Sequence, residues 1–189
     1  LEQGALNRTI YSASDGSVTH AGTPGASSSF GLVIDPSHTN ITRNGKITIR
    51  TGEESSLRVE LEALIHTYKI MPSHIHTQHV VDNLTAIEIH DMLAASGLPS
   101  QRQLMKMAYH STIVRLDKAM QTRGTFMDVQ HTLSHLEHVK TADEDLSARR
   151  KALAKADKQA DLGHAATHAI ADESGTEAFA LYIQDSLVE

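Results

Sequence analysis

Apolar and polar residues alternate along the first part of the chain, and this period of two is typical of β-strands. The alternation predicts three successive strands, over residues 8–15, 28–35 and 46–50. The segments between them, 16–27 and 36–45, are rich in Gly, Ser, Thr and Asn and are expected to be turns and loops. Three strands joined by short links predict an antiparallel meander.

The hydrophobic period becomes helical after the third strand. Leucine and isoleucine recur every three or four residues from about Glu54 to Ile70, and Pro72 is expected to end that helix. The remaining pattern predicts a strand over 74–81, a helix over 82–95, one long helix over 100–122, a strand over 126–133 and a last helix through His168. The order βββαβααβα predicts an α/β fold, in which helices cover a mixed five-stranded sheet.

Composition limits the possible classes of protein. A chain of 189 residues, 40% of them hydrophobic, is large enough for one domain with its own core. It has no cysteine, which excludes disulfides and thiolate metal sites and suits an intracellular protein. No apolar stretch is long enough to span a membrane, so no membrane partner is expected. The chain starts at Leu1 rather than Met, which indicates a piece of a longer protein.

Charge is unevenly distributed along the chain. The formal net charge of −6 argues against a free-standing nucleic-acid-binding protein, because such proteins usually carry a basic face. Residues 101–123 are locally basic, however, through Arg102, Lys106, Arg115, Lys118 and Arg123. This stripe would suit a phosphate backbone, or it is simply the solvated face of a helix.

Four widely separated acidic residues are the candidates for chemistry: Asp15, Glu60, Asp82 and Asp161. The predicted elements place them at strand ends and on helices, where side chains distant in sequence can converge. Carboxylates that converge repel one another unless cations neutralise them, so the set indicates bound divalent metal. Taken singly, Asp15 would also suit a turn and Asp82 a helix N-cap.

The contexts of these acids resemble motifs of the ribonuclease H family, type 1, including the domains found in retroelement reverse transcriptases. Asp15-Gly16-Ser17 resembles the first-strand DGS motif, and RVELEAL at 58–64 resembles the RxELxAL pattern of the first helix. Val81-Asp82-Asn83 resembles the TDS motif, with Val in place of the usual Thr. Ser134-His135 resembles the SH motif before the last helix, and Ala160-Asp161 resembles the late AD dipeptide.

The resemblance implies hydrolysis of the RNA strand of RNA–DNA hybrids with two Mg²⁺ ions, for which Mn²⁺ could substitute. It implies that Asp15 bridges both ions, that Glu60 and Asp82 complete the leaving-group site, and that Asp161 completes the water site. Glu60 would also contact the ribose 2′-OH. His135, flanked by the alternative candidates His131 and His138, would carry protons or assist product release.

Substrate contacts are expected from four polar residues, Ser17, Ser55, Ser56 and Asn83. For Ser55 and Ser56, helix capping is an equally good interpretation. The substrate partner would be an RNA–DNA hybrid, and covalently linked reverse transcriptase domains would be the protein partners. The predicted domain covers 8–170, with a charged insertion at 137–159 before the last helix, a lead-in at 1–7 and a tail at 171–189.

Three other interpretations remain open. One is a catalytically silent ribonuclease H-like domain that binds nucleic acid or acts as a scaffold. Another is an integrase or exonuclease of the same superfamily, which the order of the acids fits poorly. The third is a zinc site built from some of the 13 histidines, such as the i,i+4 pair His164 and His168 or the group His74, His76 and His79.

Overall fold

The computed structural model describes residues 10–34, 40–49, 53–136, 138–166, 169–171, 181–183 and 186–188. Its strands are β1 (Ile10–Thr19), β2 (Ser27–Ile34), β3 (Ile41–Thr48), β4 (Thr77–Val81), β5 (Asp128–His131), β6 (Ala169–Ala171), β7 (Leu181–Ile183) and β8 (Ser186–Val188). Its helices are α1 (Ser56–Ile70), α2 (Leu84–Ser96), α3 (Gln101–Leu104), α4 (His110–Arg123) and α5 (Glu144–Gly163). The predicted lead-in at 1–7 and the predicted helix end at His168 lie outside the described residues.

A mixed sheet forms the centre of the fold, with the strand order β5-β4-β1-β2-β3-β6. Strands β1, β2 and β3 form the expected antiparallel meander, and β4 and β5 pair parallel on the other side of β1. The predicted mixed five-stranded sheet is therefore confirmed. The short strand β6 adds a sixth member, parallel to β3 at its edge, and β7 pairs with β8 in a separate antiparallel hairpin.

Helices cover both faces of the sheet. Val81 packs into a core cluster with side chains of α1, α2 and α4, whereas its neighbour Val80 packs into a cluster with α5. Successive strand residues point to opposite faces, so α5 lies on the face opposite α1, α2 and α4. In the described part of the chain, no helix has both the length and the apolar character needed to cross a bilayer.

Helix α5 lies unusually close to β2 because both surfaces are made of small residues. A Cβ atom added at Gly31 would lie 2.0 Å from the Ala156 carbonyl oxygen and 2.3 Å from the Ala160 nitrogen. Ala152, Ala156 and Ala160 are all buried, and the Ser29 hydroxyl donates a hydrogen bond of 2.6 Å to the Ala160 carbonyl. The repeat of alanine every fourth residue thus sets which face of α5 meets the sheet.

Strand β1 runs further than its alternating pattern predicts. The segment 16–27 is not all turn, because residues 16–19 continue β1 and pair with β2 up to Thr19 opposite Ser27. The turn itself occupies residues 20–26 and contains His20 and Gly22 at positive φ. Asp15 therefore lies within a paired strand rather than at its end.

The prediction of one helix over 100–122 is wrong, because that segment forms α3 and α4. Tyr109 has a left-handed backbone with φ of 58°, which no α-helix continues through. The charged segment at 137–159 is also not an insertion before the last helix. From residue 144 onward it is α5 itself, whose N-cap Asp143 accepts a 3.0 Å hydrogen bond from the Leu146 backbone N–H.

Candidate metal centre

Three carboxylates converge beside the neighbouring interior strands β1 and β4 of the sheet. Asp15 lies within β1, Asp82 directly follows β4, and Glu60 lies on the second turn of α1. Each offers a carboxylate oxygen, and these oxygens all lie within 4.8 Å of one another. Because β1 and β4 are parallel neighbours and α1 packs on β1, the chain brings these three acids together as the sequence motifs predicted.

Gly16 allows Glu60 to approach β1 closely. A Cβ atom at residue 16 would lie 2.7 Å from the Val59 carbonyl carbon and 2.8 Å from the Glu60 nitrogen. The backbone N–H of Gly16 instead donates a 3.1 Å hydrogen bond to Glu60 Oε1. The glycine after Asp15 therefore seats α1 against the strand and holds the Glu60 side chain in place.

Burial of these acids makes their charge costly. Asp15 is only 8% exposed, and burial, reinforced by the nearby charges of Asp82 and Asp157, raises its pKa to about 7. Burial, together with the charges of Asp15 and Asp82, also raises the pKa of Glu60. Glu60 Oε2 is buried and receives no hydrogen bond from the described residues. This cluster has an excess of negative charge that a cation would neutralise.

The fourth carboxylate at this cluster is Asp157 and not Asp161. An open pocket of about 310 Å³ is lined by Asp15, Gly16, Ser17, Ser56, Glu60, Asp82, Asn83, Ser134, His135 and Asp157. Asp157 is close enough to Asp15 to raise its pKa. Asp161 lies one turn further along α5, is exposed, and accepts only a long 3.5 Å hydrogen bond from the Ser17 hydroxyl.

The sequence held a signal for Asp157. It follows Ala156 just as Asp161 follows Ala160, so α5 contains two Ala-Asp dipeptides one turn apart. Both aspartates have the same position relative to the alanines that face the sheet, and the dipeptide alone does not distinguish them. The sheet contact at Gly31 decides between them, because it sets how far α5 is shifted along its axis.

His135 lines the same pocket, in the loop between β5 and α5. Its backbone is left-handed, with φ of 57°, and its Nδ1 lies 4.0 Å from Asp157 Oδ2. The Thr132 backbone N–H donates to the Val81 carbonyl, and His131 Nε2 lies 3.0 Å from the Asp82 carbonyl oxygen. These bonds tie the loop to the end of β4. Of the three histidine candidates, His135 is the one that lines the pocket.

The predicted substrate-contacting residues divide into two groups. Ser17, Ser56 and Asn83 line the pocket, whereas Ser55 caps α1 by accepting a hydrogen bond from the Arg58 backbone N–H at 3.2 Å. Asn83 is also the N-cap of α2, through a 3.1 Å bond to a backbone N–H. Asp82 is thus not needed as the cap, and its carboxylate belongs to the cluster.

The histidines suggested for zinc do not assemble in the described residues. His79 is buried between the hydroxyls of Ser12 and Ser14, each 2.8 Å from a ring nitrogen, and burial lowers its pKa to about 3. His164 contacts two serines, and its suggested partner His168 lies outside the described residues. Within the described ranges, the three acids form the only group of three or more metal-binding side chains.

Part of the predicted basic stripe serves the interior of the protein. Arg115 forms an ion pair with the buried Glu62. Arg123 donates hydrogen bonds to the carbonyls of Met71, Pro72, Ile75 and Thr125. These two arginines stabilise the contact between α1 and α4, so they do not belong to a phosphate-binding stripe.

The donor set fits a hard divalent cation. The ligand atoms are carboxylate oxygens, which Mg²⁺ prefers, and no Lys or Arg is present among the described residues that line the pocket. The orphaned oxygen of Glu60 and the raised pKa of Asp15 indicate a site whose charge is not balanced by the protein itself. The residues that could hold the metal are Asp15, Glu60, Asp82 and Asp157.

Known proteins resemble this chain in structure rather than in sequence. No family model and no curated protein matches its sequence. The crystal structure of prototype foamy virus protease-reverse transcriptase matches with a TM-score of 0.55 and 14% identity over 84% of this chain. This chain spans only 21% of that protein.

Two further structures match at similar levels. The solution structure of the PFV RNase H domain has a TM-score of 0.55 and 14% identity, and the match covers 83% of this chain and 93% of that one. A foamy viral protease-reverse transcriptase in complex with dsDNA has a TM-score of 0.50 and 14% identity, over 84% of this chain and 96% of that one. The predicted ribonuclease H-like fold is therefore confirmed, and at this identity the likeness concerns the fold.

Proposed function

We propose that this chain is a metal-dependent endoribonuclease that hydrolyses the RNA strand of RNA–DNA hybrids. The observation that carries the proposal is the convergence of the Asp15, Glu60 and Asp82 oxygens within 4.8 Å, beside the interior strands β1 and β4 of a ribonuclease H-like sheet. The three acids come from three elements and are held there against their mutual repulsion. Such an arrangement is costly unless it binds cations.

Each carboxylate has a distinct place in the proposed site. Asp15 is central, with Glu60 and Asp82 on the α1 and β4 side and Asp157 on the α5 side. We assign Asp15, Glu60 and Asp82 to one Mg²⁺ position, and Asp15 and Asp157 to a second. Divalent ions bound there would supply the positive charge that a phosphodiester needs during attack by water and departure of the 3′ oxygen.

The position of His135 suits an auxiliary proton carrier. Its side chain is 77% exposed and lies at the mouth of the pocket, 4.0 Å from Asp157. We propose that His135 exchanges protons on the Asp157 side of the site and assists the release of the product.

Selectivity for RNA is proposed to come from other polar side chains of the same pocket. Ser56 and Asn83 line it together with Glu60, and they offer hydroxyl, amide and carboxylate groups. A ribose 2′-OH is both a donor and an acceptor, so it could bond to such groups where deoxyribose could not. Glu60 is the residue assigned to that contact.

The larger context of the chain is also a proposal. The structural likeness to a foamy virus protease-reverse transcriptase, of which this chain spans 21%, favours a domain linked covalently to a reverse transcriptase. In that setting other domains would supply most of the affinity for nucleic acid. The isolated chain, with a net charge of −6, is expected to bind hybrids weakly and in a salt-dependent manner.

The proposal is tested by incubating a hybrid with labelled RNA and DNA strands with the protein in Mg²⁺ or Mn²⁺. Cleavage of the RNA strand alone is expected, with no cleavage of single-stranded RNA, RNA duplex or DNA duplex. Asp15→Asn and Asp82→Asn are expected to abolish cleavage, whereas Glu88→Gln, an exposed charge removal on α2, should not. Binding without cleavage by the wild-type protein would instead support a silent scaffold module.

A further inference from the structure

A hydrogen-bonded chain of side chains runs from the end of α5 into the carboxylate pocket. His164 follows the last residue of α5, and its ring lies between two serines of neighbouring strands. Its Nδ1 is 2.9 Å from the Ser27 hydroxyl, and its Nε2 is 3.0 Å from the Ser17 hydroxyl. Ser17 lines the pocket two residues beyond Asp15, and its hydroxyl also faces Asp161 at 3.5 Å.

The hydrogen-bonding chemistry of a neutral imidazole allows only two arrangements of donors and acceptors along this row of side chains. Burial lowers the pKa of His164, and Lys46 adds to that effect while Asp161 opposes it, so the ring is neutral near pH 7. A neutral ring donates from one nitrogen and accepts at the other. One serine hydroxyl must therefore donate a hydrogen bond to the unprotonated ring nitrogen, and the other must accept a hydrogen bond from the ring N–H.

The position of Asp161 selects one arrangement. A carboxylate only accepts hydrogen bonds, so the Ser17 hydroxyl must donate to Asp161. Ser17 can do so only if His164 Nε2 carries the ring proton, so that this N–H donates a hydrogen bond to the Ser17 oxygen. The Ser27 hydroxyl then donates to Nδ1. In the other tautomer Nε2 would accept a hydrogen bond from the Ser17 hydroxyl, and Ser17 would offer the pocket only lone pairs.

We propose that His164 is a positioning residue that keeps the Ser17 hydroxyl available as a hydrogen-bond donor to the backbone of the nucleic-acid strand bound over the carboxylates. The inference rests on the proposed function, because it takes the ligand of this pocket to be a phosphodiester strand. Its phosphate oxygens are acceptors only, as Asp161 is. At 3.5 Å the bond from Ser17 to Asp161 is at the long limit for a hydroxyl donor, so a phosphate oxygen could replace Asp161 at little cost.

The tautomer provides a test that does not depend on activity. In protein labelled with ¹⁵N at histidine, the ring resonances of His164 are assigned as those that disappear in His164→Gln. Their chemical shifts are expected to show a neutral ring protonated at Nε2. A neutral ring protonated at Nδ1 would overturn the proposal, since Ser17 would then donate to the ring.

Kinetics provide the second test, with five variants, one of them a control, compared against the wild-type protein. Ser17→Ala and His164→Leu are each expected to raise KM for the hybrid by about ten- to a hundredfold, as expected for a lost hydrogen bond to a charged group, with kcat changed less than twofold. The double variant should be no worse than either single one, because both remove the same bond. His164→Gln, whose amide can still donate to Ser17, should recover most of the loss, and His74→Leu at an exposed histidine should change nothing.

The outcomes separate this inference from the proposed function. The positioning role of His164 would be overturned if the double variant raised KM by the product of the two single effects. It would also be overturned if His164→Leu left KM unchanged. If thermal melting shows that His164→Leu is poorly folded, Ser27→Ala replaces it. That change removes the hydroxyl that donates to Nδ1, so it should reduce the preference of the ring for the tautomer protonated at Nε2. If the wild-type protein does not cleave, hybrid binding measured by fluorescence anisotropy in Ca²⁺ decides. Equal weakening by Ser17→Ala and His164→Leu supports the positioning role, and absence of wild-type binding refutes it.

Discussion

Removing the charge of Asp15 is expected to stabilise the metal-free protein while abolishing its activity. The carboxyl group of Asp15 is 8% exposed, and burial is the main reason that its pKa is raised from 3.8 to about 7. The folded protein therefore holds a proton at Asp15 that the unfolded chain releases above about pH 4. The free energy of unfolding falls as the pH rises from about 4 to about 7, and the full cost of the charge is present above pH 7.

The size of the effect follows from the same values. At about 1.36 kcal/mol per pKa unit, the rise from 3.8 to about 7 corresponds to at most about 4 kcal/mol. Glu60 shares the site, and its pKa is also raised. Protonation of Glu60 would therefore remove part of the electrostatic cost of a charged Asp15. We expect Asp15→Asn to raise the free energy of unfolding by about 1–3 kcal/mol at pH 8.

The assay is thermal or urea unfolding of the wild-type protein and Asp15→Asn in EDTA, at pH 5 and pH 8. For a chain of this length, about 2 kcal/mol corresponds to an increase in Tm of about 4–8 °C. The gain at pH 5 should be less than about half of that at pH 8, because Asp15 is mostly protonated in the folded protein there. Mg²⁺ should stabilise the wild-type protein more than the variant and so reduce the difference.

Glu88→Gln is the matched control, because it removes an exposed negative charge from α2. It should change stability little and equally at both pH values. The reasoning about the buried carboxylates is refuted if Asp15→Asn is no more stable than the wild-type protein at pH 8 in EDTA. It is also refuted if the gain is the same at pH 5 and pH 8.

Three further predictions test the proposed site and the packing of α5. Asp157→Asn should reduce hybrid cleavage by more than about a hundredfold, as expected for a lost metal ligand. Asp161→Asn should retain activity within about threefold. The reverse result would mean that α5 is shifted along its axis by one turn. His135→Ala should lower kcat by about ten- to a hundredfold without changing KM, and an unchanged kcat in single-turnover and steady-state assays would exclude a catalytic contribution. Gly31→Ala should lower the free energy of unfolding by more than about 2 kcal/mol in urea denaturation, since a Cβ there would lie 2.0 Å from the α5 backbone. Gly25→Ala, whose nearest contact is 3.8 Å away, is the control and should be almost neutral.

Most of the fold could be predicted from local patterns. The alternation in the first strands and the helical repeat before Ile70 correctly predicted the meander and α1, because each depends on a periodicity within one element. The break at Tyr109 was not predictable in this way. A left-handed residue other than glycine has no sequence signal of its own, and tertiary contacts hold it in place.

The site was predictable to the same extent. Asp15, Glu60 and Asp82 each lie in a short motif whose residues have a direct structural purpose. Gly16, for example, lets α1 approach β1, so DGS predicts proximity as well as chemistry. Helix α5 has no such marker, because its sequence repeats alanine and aspartate with the period of one helical turn.

The sequence by itself therefore predicted that three separated acids converge, on a mixed sheet covered by helices. The tertiary structure alone placed Asp157, and not Asp161, in the pocket with these acids. A helix with a repeat of four residues can shift by one turn and still present alanines to the sheet. Contacts of Gly31 and Ser29 with the backbone of Ala156 and Ala160 set its axial position. Contacts between elements more than a hundred residues apart leave no local trace in the sequence.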